Sequence, residues 1–85
     1  MARKKKERKR VIPDLYLNEA KIEMLSNREI IVDGCKGVIE YGENFIKLNI
    51  GELTLDIVGQ NLIIESFDGG IAIIRGRFGE INFIS

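Results

Sequence analysis

Residues 45–58 read Phe45-Ile46-Lys47-Leu48-Asn49-Ile50-Gly51-Glu52-Leu53-Thr54-Leu55-Asp56-Ile57-Val58. Apolar and polar side chains alternate on both sides of Gly51-Glu52. A period of two places Ile46, Leu48 and Ile50 on one face of an extended segment, with Lys47 and Asn49 on the other. Leu53, Leu55 and Ile57 repeat the pattern against Thr54 and Asp56. Wound as a helix, the stretch would put Leu48 and Leu55 on the face opposite Ile46, Ile50, Leu53 and Ile57, so it shows no convincing helical stripe. Two half-apolar strands joined by a short glycine-containing turn make a hairpin.

The same rhythm extends in both directions. The runs KIEML (21–25), EIIV (29–32), GVIEY (37–41), LIIESF (62–67), IAIIRG (71–76) and EINFI (80–84) are rich in Ile, Val, Leu and Phe, which suit a pleated, half-buried backbone. Turn residues separate them: Ser26-Asn27, Asp33-Gly34, Gly42-Glu43-Asn44, Gln60-Asn61, Asp68-Gly69-Gly70 and Gly76. Gly59-Gln60-Asn61 reads as a tight hairpin connection with Gln60 and Asn61 at its tip. The sequence therefore predicts an all-β fold. It is a small antiparallel meander of about eight short strands forming a sandwich-like or rolled sheet, with a stacked solenoid-like meander as the other arrangement this rhythm suits.

Alternation divides the side chains between two faces. The inward set is Ile22, Met24, Ile30, Val32, Ile39, Tyr41, Ile46, Leu48, Ile50, Leu53, Leu55, Ile57, Leu62, Ile64, Ile71, Ile73, Ile81 and Phe83. Lys21, Glu23, Glu29, Glu40, Lys47, Asn49, Thr54, Asp56, Glu65, Glu80 and Asn82 face out. Seven apolar residues fall on the polar side: Ile31, Phe45, Val58, Ile63, Phe67, Ile74 and Ile84. Clustered, they form an exposed patch of the kind that marks an interaction site. A β-bulge that shifts the register would instead return some of them to the core. Ile31, Phe45, Val58, Ile63, Phe67 and Ile84 are the candidate interface.

Composition removes many alternatives. The chain has 85 residues, 45% hydrophobic and 31% charged, the balance of one soluble globular domain. It contains no histidine, no tryptophan and one cysteine, Cys35. A lone cysteine forms no internal disulfide. Without histidine there is no Ser-His or Cys-His dyad and no Cys/His zinc site. The expectation is no enzyme activity, no metal and no cofactor. No run is long and apolar enough to span a bilayer, and no apolar segment follows the charged start as in a signal peptide. The expected compartment is the cytoplasm.

The zero net charge conceals a split. Residues 1–10, MARKKKERKR, hold seven basic side chains and one acidic, a charge of +6. The remaining 75 residues carry six basic and twelve acidic side chains, a charge of −6. Residues 1–12 read as a basic flexible arm with too few apolar side chains to order it. Residues 13–85 read as a single all-β domain entered through PDLYLNEA, where a short helical turn can follow Pro13. Arg3, Lys4, Lys5, Lys6, Arg8, Lys9 and Arg10 have three readings: contact with an anionic membrane surface, contact with phosphates of nucleic acid, or a solubilising tail. The acidic body argues against nucleic acid, as does the placing of Tyr41, Phe45 and Phe67 among acids rather than lysines.

Other residues carry mainly structural readings. Asn27 is expected to adopt positive φ or to cap its turn, and Arg28 to pair with Glu29, Glu43 or another nearby acid. Cys35 follows Gly34 in a turn, where Lys36 would lower the thiol pKa. The acidic pairs Glu40/Glu43 and Asp56/Glu65 are ordinary for the outer faces of strands.

Ser26-Asn27-Arg28-Glu29, then Gly34-Cys35-Lys36-Gly37-Val38-Ile39-Glu40-Tyr41, Gly59-Gln60-Asn61-Leu62 and Ile73-Ile74-Arg75-Gly76 with Ile81 and Phe83, occur in an order and spacing that resemble the YabP/YqfC family of sporulation proteins. The basic arm and the Pro13-Asp14-Leu15 entry are closer to the YqfC branch. The resemblance covers roughly residues 13–85 and implies a small protein of endospore formation, made in the mother cell. It implies a process and supplies no catalytic residues or cofactors. Together with the residues, it gives the expectation of a non-enzymatic module acting by protein–protein association. Its partner is a protein, which can be membrane-bound, or a second copy of the chain in a homo-oligomer. The alternative is a membrane-surface adaptor held by the basic arm at a mother-cell membrane.

Overall fold

The computed structural model describes residues 20–85. Six strands follow one another: β1 (Lys21–Leu25), β2 (Glu29–Asp33), β3 (Gly37–Tyr41), β4 (Phe45–Asn49), β5 (Thr54–Asp68) and β6 (Ile71–Ile84). There is no helix among the described residues. All neighbours are antiparallel, in one open sheet of order β1-β2-β6-β5-β4-β3. The sequence-predicted arm of residues 1–12 and the turn after Pro13 lie outside the described residues.

The sheet is organised on its two longest strands. Of β6, only residues 71–75 pair with β2, and of β5, only residues 54–58 pair with β4. The β5–β6 hairpin therefore carries β1 and β2 beside one half and β4 and β3 beside the other. Its register shifts at Val58/Gly59, Gln60/Ile63 and Ile64/Ser66. Bulges of this kind bend the strand and increase its twist. Both halves contribute to a single buried cluster: Ile30, Val32, Ala72, Ile74 and Leu62 from one, Ile46, Leu48, Leu55 and Ile57 from the other, with Cys35 and Ile50.

The bend explains why about eight expected strands are six. Gly59-Gln60-Asn61 is not a hairpin tip. It lies inside β5, where Gly59 still faces Phe78 and Gln60 faces Arg77. Gly76 likewise lies inside β6. A sequence signal for a turn was answered by a kink in a continuous strand. Asn61 adopts φ 55° and Gly76 φ 149°, so the direction change interrupts the pairing locally without ending either strand. A Cβ at Gly76 would come within 2.8 Å of Leu62 Cδ2, and one at Gly59 would collide with the carbonyl oxygen of Arg77. These two positions need glycine because backbone passes where a side chain would stand.

Backbone N–H groups along the bend find partners in the turns that lead into β2 and β4. Gly59 N donates to Asn44 O at 3.0 Å and Leu62 N to Glu43 O at 2.8 Å. Across the hairpin, Gly76 N donates to Arg28 O at 3.1 Å and Phe78 N to Asn27 O at 3.3 Å. At the other end, Gly34 N and Cys35 N both donate to Gly70 O at 2.9 Å.

Several face assignments change. Ile74 is fully buried, whereas alternation placed it outside. Ala72 is its inward companion, so Ile71 and Ile73 face outward. The pairing Val32↔Ala72 and Ile30↔Ile74 fixes that parity, because directly opposed residues share a face. Ile39 falls at the register shift between Val38 and Glu40 and is exposed. Ser26, not Asn27, takes positive φ in the first turn. Glu29 pairs with Arg75 rather than with Arg28.

Gly59→Ala should destabilise the domain by about 2–3 kcal/mol, a backbone collision rather than a propensity effect. Gly37→Ala meets nothing within 4 Å, so its cost should stay within roughly 0.5 kcal/mol. Urea unfolding of the two variants measures the difference.

Candidate interaction surface

The outward face carries two apolar groups, one on each half of the bent hairpin. On the first half, Ile31 faces Ile73 across β2–β6, and Ile63 faces Arg75 across β5–β6. Ile63 is 56% exposed. Arg75 spans this group: its Nε lies 3.6 Å from Glu29 Oε1, and its Nη1 donates to Glu65 Oε2 at 3.2 Å. Such exposed pairs contribute little to stability, about 0–1 kcal/mol each. Their effect is geometric, fixing a charged bridge beside Ile63.

On the second half, Phe45 opposes Val58, which in turn opposes Glu80. Phe45 is 41% exposed. Its ring lies against Gly42, where an added Cβ would stand 2.9 Å from Cε1. One row away, Lys47 faces Asp56 and lies 3.6 Å from Glu40 Oε1. Ile84 shares the outward face but opposes Thr54, at the far end of the same half.

The structure thus places the six sequence-predicted interface residues in different settings. Ile31 and Ile63 lie together on one half, and Phe45 and Val58 together on the other. Ile84 is exposed at the terminal row. Phe67 is half-exposed, but it opposes the buried Ala72 and so belongs to the core-facing side. The seven basic residues Arg3, Lys4, Lys5, Lys6, Arg8, Lys9 and Arg10 lie outside the described residues.

Sequence alternation missed a second exposed set. Met24, Val38, Tyr41 and Phe83 occupy core-facing rows yet remain exposed. They sit at strand edges, where a row runs out of neighbours: Val38–Leu48–Leu55–Phe83 is one row and Tyr41–Ile46–Ile57–Ile81 the next. Strand order decides which members of a row are terminal, and alternation within one strand carries no information about it. Leu25, Ile71 and Ile73 add apolar surface on the outward side.

An open groove of about 520 Å³ follows the bend, lined by Asn27, Val58, Gln60, Arg77, Phe78 and Glu80 among others. Its walls carry both signs of charge, so it offers no concentrated field for a small ion. No group of His, Cys, Asp or Glu among the described residues could hold a metal ion. Cys35 is buried and its thiol donates to Gly37 O at 3.5 Å. Burial pushes its pKa up, against the lowering expected from Lys36. Residues 20–85 hold six basic and ten acidic side chains, a net charge of −4. The described residues thus combine exposed apolar groups with a prevailing negative charge, which disfavours polyanions.

A model of the YabP family matches residues 17–85. The chain belongs to the YabP family, a sporulation-associated family. No curated protein and no solved structure matches it.

Thiol reagents at neutral pH should modify Cys35 far more slowly in native protein than in urea, because the reactive thiolate is disfavoured and enclosed. Raising the pH through the ordinary thiol range ionises the unfolded chain first and so weakens folding. Time courses of labelling with a chromogenic disulfide, with and without urea, check the first statement. A native rate equal to the unfolded one would show Cys35 to be open.

Proposed function

We propose that this YabP-family chain is a non-enzymatic interaction module of endospore formation, acting in the mother cell by docking a protein partner on its outward face. The observation that supports this most is the pairing of solvent-facing Phe45 with Val58, and of Ile31 with Ile73, in a sheet whose core is already filled from its other side. Uncovered aromatic and branched side chains held rigidly on paired strands bury apolar area at low entropic cost when a partner arrives. The basic arm and the Pro13-Asp14-Leu15 entry favour the YqfC branch of the family.

Phe45→Glu should leave the fold intact, since the ring is outside the buried cluster. Recovery of the native partner from sporulating cells should fall by about tenfold, the size of one anchor residue. Heat-resistant spore counts should fall with it at unchanged protein level. Full spore yield from Phe45→Glu and Ile63→Glu together would remove the outward face from the function.

A second reading rests on the arm. Seven basic residues among the first ten provide an anionic-surface contact of about 1 kcal/mol each near the membrane. Sedimentation with vesicles should then require anionic lipid, weaken steeply with salt and vanish when residues 1–10 are removed. Binding that ignores salt would end this reading.

A further inference from the structure

We propose that two copies of the chain join through the free edge of β6, pairing Glu80–Ile84 with its own copy about a two-fold axis beside Asn82. The inference is independent of docking on the outward face.

Among the described residues, β6 is covered on its second side only where β2 reaches it, at residues 71–75, with the turn bonds to Gly76 and Phe78 just beyond. From Gly79 onward, no described backbone group pairs with that side. Glu80 to Ile84 nevertheless form five consecutive regular pairs with Val58 to Thr54 on the other side. The result is a straight, unbulged strand edge, which is a template for a further strand. The other edges are blunted. β1 carries Lys21 and Glu23, β3 shifts register between Val38 and Glu40, and the outer side of β5 is irregular between Ile64 and Ser66.

A second copy fits this edge for reasons of symmetry. A two-fold axis normal to the sheet keeps each residue on its own face, so the axis must pass beside a residue that meets itself. Centred on Glu80, it would oppose two carboxylates, which is unfavourable. Centred on Ile81, it would set Phe83 against Gly79. Centred on Asn82, it sets Ile81 against the copy's Phe83, and Glu80 against the copy's Ile84. Phe83 is 57% exposed and ends the row from Val38; Ile81 ends the row from Tyr41. The axis interchanges these two terminal residues, so each row continues into the other subunit with no like charges opposed. The edge is self-complementary.

The test uses the full 85-residue chain. Sedimentation equilibrium across low to high micromolar concentrations should show a reversible monomer–dimer equilibrium. Phe83→Lys, an inward-leaning charge on the edge, should raise its dissociation constant by about tenfold or more. Phe45→Glu should leave it unchanged. Asn82→Cys should be joined to its copy by a short bismaleimide, and Lys47→Cys on the outward face should not. A single monomeric mass at every concentration would overturn the proposal. So would a dimer that Asn82→Cys fails to cross-link, whatever Phe83→Lys does to folding.

Discussion

Four turn carbonyls hold this fold in shape. At the bend of the two long paired strands, the outer N–H groups lie just past the last residues of the short strands that flank them. A buried donor left without a partner costs about 1–3 kcal/mol. Here the carbonyls of Asn27, Arg28, Glu43 and Asn44 accept from Phe78, Gly76, Leu62 and Gly59. The β1–β2 turn is thereby tied to β6 and the β3–β4 turn to β5. The short strands are positioned by the bend, and the bend is satisfied by the turns that the short strands carry. Leu62, nearly fully buried, sits against Gly76 at the centre of this arrangement. The core is closed from both halves because the kink is specified at one place.

Much of this was legible in the sequence wherever strands are short and regular. Ile30, Val32, Ile46, Leu48, Leu55 and Ile57 were placed inward by alternation and are fully buried. The reading failed at bulges. A turn and a kinked strand use the same residues, Gly and Asn at positive φ, so local composition cannot separate them. The resumed pairing with β6 from Ile63 onward, with the long-range bonds to Glu43 and Asn44, decides that β5 continues. Ile71-Ala72-Ile73-Ile74 failed for another reason. Apolar residues fill both faces, and Ala72 reads as the weaker inward choice although pairing with Val32 fixes it inside. Of the candidate interface, the outward positions of Phe45, Val58, Ile31 and Ile63 were legible as breaks in alternation. The core-side position of Phe67 was hidden by the shift between Ile64 and Ser66.

The same edges that shape the core also set what remains outside it. A six-stranded open sheet folded over one cluster cannot cover the ends of its own rows. Tyr41, Val38 and Phe83 are apolar because they belong to core-facing rows, and exposed because no described strand continues those rows: β3 is an edge strand and β2 stops short of Phe83. Their exposure differs in origin from that of Phe45 and Ile63, which face outward by parity. Edge residues are matched by main-chain pairing with alternate side chains in register. Outward residues are matched by a surface laid flat on the sheet.

These two kinds of surface meet in one row. Phe45 opposes Val58, and Val58 opposes Glu80 on the edge of β6. In the edge-paired arrangement, Glu80 would lie opposite Ile84 of the second copy, and that row would run on through the copy's Thr54. A two-fold axis normal to the sheet keeps both outward faces on the same side. Two Phe45–Val58 groups would then be presented in one plane, on a rigid spacing set by the strands between them. A partner that itself has two equivalent contact sites would gain from engaging both, since the second contact forms at high effective concentration. Pairing along the edge would strengthen docking on the face without adding any new contact to it.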